Sequence, residues 1–537
     1  MSVEPVVDVP AQDERSLQQR QVTAVWAWAI VLAIAAGFIL IGGGRQDLGP
    51  IEARLGIAAG EAFGPLGLAF GGWEPSLWPG EVIPSILWGW GEEGRITSAS
   101  VRWPAAIAGL LAGLILTKRV MATLGMRAAI LTMLCWSGSV ALMDRSAGTG
   151  LALISGLAIV ATIDRILGRG SDWVAGLWAA LAFLSGGWPP LALIGLATIV
   201  LGRRGTGLSV GLLVPPILTA VAWSAWALNV MSTEAWAAAL TLPLTQKSAW
   251  FLPVTVFALG LPWSPFAALA ASRSVRDGWS EPGRLLIMGW LQVAAASVLA
   301  GTVVPGLATS AGLPALAGLA VVAAASCDRL WSGTVSAVTR RRALALSVTI
   351  ALLWVVPIVV GGIYIGSAVS YYRWLAIFLI GMTVPVAALC YKAVDLSDLR
   401  RALVMVALIS VCLKFAHMGC YAPEWNYRRS QGPWGRAIGQ WVPPKWPVYT
   451  THAWSPDLAF SIGRPVRHLA SPKLLAFQKN RPTHHVLLLE SEFENWPEDA
   501  PALVKVASFQ DEHGGTRVLA RTAGEFSWRM ARQTPAN

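Results

Sequence analysis

The chain is predicted to be an all-α polytopic membrane protein of about thirteen spans, carrying a small C-terminal α/β domain outside the cytoplasm. Three observations predict it. Of 537 residues, 55% are hydrophobic and only 13% are charged, about half the charge of a soluble chain. The apolar residues fall in blocks long enough to cross roughly 30 Å of hydrocarbon at about 1.5 Å per residue. After His417 the composition turns polar, and short apolar runs alternate with helix-like segments.

In chain order, residues 1–21 are polar and read as a disordered cytoplasmic tail. They precede an apolar run too long for a signal-peptide core, so the first span is expected to be an uncleaved anchor. The membrane domain covers 22–417, with spans near 22–43, 100–117, 126–143, 150–163, 207–229, 250–271, 284–305, 309–327, 343–366, 373–391 and 402–417. The stretch 173–202 is interrupted by Ser185-Gly186-Gly187-Trp188-Pro189-Pro190, where glycines and prolines resist helix continuation. It reads either as one broken helix or as two short spans. The positive-inside rule chooses: the connections bearing Lys118, Arg119 and Arg127, then Arg165 and Arg169, then Arg203 and Arg204, and the later arginine clusters share one side only if 173–202 crosses twice. That arithmetic puts the N-terminus in the cytoplasm and the C-terminal region outside, in a plasma (inner) membrane.

Residues 418–537 read as a small domain with a partly parallel sheet. Strand-like runs lie at Trp446–Thr450, Val486–Leu489 and Thr516–Ala520, with helix-like segments at Ser455–Ile462 and Pro472–Gln478 between them. Its first thirty residues, rich in Trp, Pro, Arg and Gly, read as an irregular tether.

Composition also excludes functions. The net charge of +11 belongs to topogenic loops, and no nucleic-acid partner is expected. The five cysteines show no CxxC or Cys/His spacing, so no metal site is expected from them. Aspartates such as Asp144, Asp164 and Asp328 stand at span ends and lack the mid-membrane cost that marks a proton relay. The twenty-eight tryptophans gather near span ends, as an interfacial belt requires.

The outer loop 44–104 stands apart from the other connections by its length, its acids, its arginines and its tryptophans. Such a loop is expensive to order unless it builds something. Within it, Ile51, Leu55, Ala58, Ala59, Ala62 and Phe63 recur at helical spacing, predicting an amphipathic helix along the membrane surface. Glu52 on that helix is either a solvated polar face or a carboxylate tuned for base catalysis. Arg102, opening the second span, is either a snorkelling interfacial arginine or a phosphate contact. Lys247, in another outer loop, offers the same choice.

The order of these features resembles the membrane-embedded C-type glycosyltransferases, in particular the aminoarabinose-transferase and protein O-mannosyltransferase group. Ile51-Glu52-Ala53-Arg54 corresponds to that group's first-loop acid motif, and Arg102-Trp103-Pro104 to its R-L-P opening of the second span. Arg145 to Gly150 corresponds to its R-x-A-x-x-D stretch. Leu184-Ser185-Gly186-Gly187-Trp188-Pro189 corresponds to its broken L-T-K-G-P segment, and Leu261-Pro262-Trp263-Ser264-Pro265 to its later P-W-S segment. The resemblance spans nearly the whole chain in order.

It implies a membrane transferase that takes a sugar from a polyprenyl-phosphate-linked donor to a lipid, glycan or protein acceptor on the outer face. Glu52 and Asp47 would carry the acid role, and Arg54, Arg102 and Lys247 would bind the donor phosphate. The Asp47/Glu52 pair also offers oxygen ligands to a divalent metal, a single pair being a thin set. Four polar positions of the group's pattern are absent: Ile51 replaces its leading aspartate, the PGEVIPSILW segment has no lysine, and Gly150 and Gly186 replace an aspartate and a lysine. An inactive relative that binds lipid-linked glycans is therefore the alternative, with a lipid or solute transporter a third reading.

Overall fold

The computed structural model describes residues 25–40 (except 27 and 34), 47, 52–53, 56–57, 82–89, 98–145, 150–202, 209–230, 233, 236–237, 250–428, 430–443, 446–451, 455–464, 466–477, 483–510 and 515–523. The first long helices are α1 (Trp28–Leu40), the short α2 (Val82–Gly89) and α3 (Ser98–Leu124). They are followed by α4 (Met126–Ser137), α5 (Val140–Arg145), α6 (Gly150–Leu167), α7 (Asp172–Gly186), α8 (Trp188–Gly202) and α9 (Val210–Val230). Next come α10 (Leu252–Leu259), α11 (Ser264–Ala268), α12 (Glu281–Val303), α13 (Ala308–Ser332), α14 (Ala337–Ala368), α15 (Arg373–Asp395) and α16 (Leu399–Ala416).

Among the described residues, seven helices are long and apolar enough to cross a membrane, or eight if one bent pair is counted as a span. The chain is a polytopic helical membrane protein. Helices α4, α7 and α8 are apolar but shorter, within the 10–17 residue class.

Helix α13 is the axis of the bundle, its apolar window 78% buried. Backbones approach closely around it. A Cβ on Gly318 would lie 2.6 Å from the Trp290 carbonyl of α12, and one on Gly156 of α6 would run into Leu313. Such small-residue contacts hold helices together where lipid supplies no hydrophobic drive. Fully buried Trp136 wedges α4 onto α3, its indole N–H donating to the Gly109 carbonyl at 2.8 Å. By contrast only 22% of the α15 window is buried, and Tyr371, Trp374 and Tyr391 near its ends are exposed, as lipid-facing aromatic anchors are.

Three of the expected spans are interrupted, the first of them as the sequence predicts. The segment 173–202 is two helices parted at Gly187, whose φ of 74° needs glycine. The segment 126–143 is broken at Gly138-Ser139, between α4 and α5. The segment 250–271 is bent by 112° between α10 and the helix that follows it. The last two breaks answer each other. The Val140 N–H donates to the Leu261 carbonyl at 3.0 Å, and Gly138 lets the Trp263 indole nitrogen within 3.1 Å of its Cβ position. Leu261-Pro262-Trp263 thus seats in the notch opened by Gly138. A donor missing at proline and a side chain missing at glycine let two broken helices interlock.

Past α16 the chain does not become an irregular tether. It turns through His417–Tyr421 into α17 (Ala422–Arg428), then forms α18 (Gly432–Trp441). Pro433 sits in the first turn of α18, where its missing N–H costs nothing. The sheet comprises β1 (Val448–Thr450), β2 (Val466–His468), β3 (His485–Leu489), β4 (Leu503–Gln510) and β5 (Thr516–Thr522) in the order β2-β1-β3-β5-β4. The first three are parallel, and β5 runs antiparallel to β3 and β4. Strands β2 and β4 escape the alternation rule because β2 has three residues and β4 carries exposed charge and a bulge near Lys505. Helix α19 (Pro456–Ile462) lies on α18. Gly435 and Gly439 bring the α18 backbone against the Leu458 and Ile462 carbonyls.

Candidate functional site

The site begins at the top of α3. Arg102 lies in its first turns and is 1% exposed. A guanidinium so placed must be met by acceptors, because an unpaired buried charge costs several kcal/mol, of the order of ~3–5. Its Nη2 donates to the Asp47 carbonyl at 2.8 Å and stands 3.9 Å from Glu52 Oε2. Glu52 is itself 4% exposed. Burial excludes the snorkelling reading of Arg102 and the solvated-face reading of Glu52.

Residues 52–53 and 56–57 are helical. They dock on the C-terminal region. Ile57 belongs to one apolar core with Ile438, Val442, Leu458 and Leu519. The expected apolar positions Ile51, Leu55, Ala58, Ala59, Ala62 and Phe63 lie outside the described residues, as do Arg54 and Lys247.

Asp47 is the hinge pin between loop and C-terminal helices. Its N–H donates to Asn426 Oδ1 at 2.8 Å. Its Oδ2 accepts from Ser430 Oγ at 2.8 Å, and its Oδ1 accepts from Arg436 Nη1 at 2.6 Å. Ser430 Oγ in turn accepts the Gly432 N–H at 2.9 Å, closing the entry of α18. Gly432 is required there, since a Cβ would run into the Asp47 carboxylate. Charge-assisted bonds of this kind contribute about 1.5–3 kcal/mol each, discounted at Arg436, whose side chain is 53% exposed.

Of the expected site residues, the structure therefore brings Asp47, Glu52 and Arg102 together. It adds Asn426, Ser430, Gly432 and Arg436, which sequence reasoning assigned to a tether. The signal available was Gly432-Pro433 with Gly435 and Gly439 one helical turn apart, the pattern of a helix start with a close-packing face. Both acids already face cations, and the Asp47 carboxylate oxygens accept from Ser430 and Arg436. That donor set does not fit a divalent-metal cage. Among the described residues no group of three or more His, Cys, Asp and Glu side chains converges. Chemically the site is a buried carboxylate beside a buried guanidinium, with Asp47 next to them held by a second, more exposed arginine. It can accept a proton and neutralise an anion.

Comparison with known proteins places this geometry on a recognised fold. The chain is similar to the crystal structure of ArnT from Cupriavidus metallidurans bound to undecaprenyl phosphate, with a TM-score of 0.67, 16% identity, and coverage of 93% of this chain and 98% of that one. The apo structure of the same protein matches with a TM-score of 0.65 at the same identity and coverage. ArnT is an aminoarabinose transferase of the C-type glycosyltransferase class, so the resemblance read from the loop motifs holds at the level of the fold. No protein-family model and no curated protein matches the sequence.

Proposed function

We propose that the protein transfers a sugar from a polyprenyl-phosphate-linked donor to a lipid, glycan or protein acceptor at the outer face of a plasma (inner) membrane. In this reading the chain spans thirteen times, with the N-terminus in the cytoplasm and residues 418–537 outside as a separate α/β domain. The observation that carries it is the buried Glu52–Arg102 pair, 3.9 Å apart, at the top of a fold shared with an undecaprenyl-phosphate-binding transferase. Arg102, with Arg54 and Lys247, neutralises the donor phosphate. Glu52 takes the proton of the acceptor as its oxygen or nitrogen attacks the anomeric carbon. The bond from that carbon to the phosphate oxygen breaks, and the polyprenyl phosphate leaves carrying the negative charge that the guanidinium meets. Asp47 holds the loop on α18 and adds negative charge beneath the acceptor.

Glu52→Gln keeps the size of the side chain and removes the base. Turnover of a radiolabelled polyprenyl-phosphate sugar, per folded protein purified, is expected to fall by roughly 10²–10⁴, with a lowered Tm in detergent because the enclosed Arg102 loses its carboxylate. Full activity in this variant would overturn the assignment. The second reading, a non-catalytic relative that binds lipid-linked glycan, is favoured by one observation: the Asp47 carboxylate is engaged by Ser430 and Arg436. It predicts that donor binds to the wild-type protein with no sugar released.

A further inference from the structure

Helix α3 carries a second arginine, Arg119, seventeen positions after Arg102, which at about 1.5 Å per residue is about 25 Å away, at the opposite face of the bundle. Arg119 Nε donates to Asp164 Oδ1 at 2.7 Å, and its Nη2 to Asp164 Oδ2 at 3.0 Å and to the Asp164 carbonyl at 3.1 Å. The planar fork lies flat on the end of α6, over Gly168, where any Cβ would run into the guanidinium. The Gly168 N–H donates to the same Asp164 carbonyl at 2.9 Å, so the turn and the ion pair fix each other.

Beside this pair opens a cavity of about 290 Å³ lined by Lys118, Arg119, Asp164, Arg165 and Trp178, with Ile115 on its apolar wall. Three cations face one carboxylate, and Arg119 already occupies both oxygens of that carboxylate. Among the described residues neither Lys118 nor Arg165 has a carboxylate within ion-pair distance. Two positive charges are thus left at the mouth of a concave, built site. Topogenic charge alone needs no concavity, since loose lysines and arginines satisfy the positive-inside rule equally well.

We propose that this cavity binds the phosphate headgroup of an anionic glycerophospholipid in the leaflet opposite the Glu52–Arg102 site. Lys118 and Arg165 contact the phosphate, and Arg119 is the pre-set floor. The half-buried Trp178 and Ile115 take the glycerol and the first methylenes. A lipid is favoured over a soluble anion because the cavity lies between the ends of membrane helices and one wall is apolar; basic pockets between spans are where anionic headgroups bind. The proposal is independent of the transfer reaction.

The full chain is purified, reconstituted in nanodiscs of equal phosphatidylglycerol and phosphatidylcholine, and the lipids it retains are counted by native mass spectrometry. Phosphatidylglycerol is expected to be enriched. The double variant Lys118→Gln/Arg165→Gln, which touches neither the Arg119–Asp164 pair nor Gly168, is expected to lose that enrichment. At about five-fold per cation the loss is roughly 25-fold, with melting unchanged. Equal retention of the two lipids by the wild type, or enrichment that survives the double variant, overturns the proposal. A third arm adds inorganic phosphate at millimolar concentration. If it binds with the same dependence on Lys118 and Arg165 while phosphatidylglycerol shows no enrichment, the site takes a soluble anion and the lipid assignment fails.

Discussion

Arg102 and Arg119 sit on one helix, each beside one carboxylate, and they are held in opposite ways. Arg119 is locked in a fork-to-fork pair at 2.7–3.0 Å whose side chains are 27% and 13% exposed. Arg102 and Glu52 are almost fully enclosed, 1% and 5% exposed at their side chains, but stand 3.9 Å apart. A tight bidentate pair satisfies its own charge and behaves as a fastener. A buried pair at the longer distance is joined through its surroundings, here the Asp47 carbonyl and the C-terminal helices, and its electrostatics respond to any anion brought beside it. The difference teaches that proximity alone does not mark a reactive pair. Burial and the identity of the acceptors distinguish the two pairs.

The largest expected effect would test that contrast at its buried end. Arg102→Met leaves the enclosed Glu52 without its cation and is expected to destabilise the protein by about 3–5 kcal/mol, read as a lowered Tm in detergent. A loss below that of the Arg119 variant would break the comparison. Next comes Gly432→Ala. Forcing a Cβ against the Asp47 carboxylate is expected to cost about 1–3 kcal/mol. It should also speed hydrogen exchange around Asp47 and α18, while exchange at Asp164 stays as in the wild type. Arg119→Met, at the less enclosed pair, leaves Asp164 without its fork and is expected to cost about 1–3 kcal/mol, measured by the same melting experiment.

The smallest effect lies in the sheet, away from both arginines. Burial first, then Arg521 directly across on β5 and the neighbouring His484, hold the His485 imidazole below its usual pKa. The unfolded chain therefore binds more protons than the folded one between the lowered value and the ordinary 6.5. Stability attributable to His485 is fully present above about pH 6.5 and declines as the pH falls through that window. His485→Gln should flatten the decline in a pH series of melting temperatures, and the Arg102 and Arg119 variants should leave it in place.

How much of this was legible follows from contact range. Glu52 and Arg102 could be read because both lie in short motifs of a single loop and span start. Asn426, Ser430 and Arg436 could not, because their bonds to Asp47 join residues 379 to 389 apart in the chain, and local periodicity carries no information at that distance. The break at Gly187 was legible in its Gly-Gly-Trp-Pro-Pro signature. The breaks at Gly138 and Pro262 were hidden inside runs of apolar residues, since hydropathy records what a segment contains and says nothing of what is inserted into it.

The sequence by itself determined the class of the protein, a helical membrane chain with a small mixed sheet, because transfer of apolar residues out of water and alternation of short strands are properties of local composition. It also determined which loop is worth reading. Tertiary structure alone decided that Glu52 and Arg102 are buried together, that Asp47 fastens the loop to α18, and that Lys118, Arg119 and Arg165 wall a cavity. Burial and pairing of charge depend on what the rest of the chain brings alongside, and no single segment encodes its own surroundings.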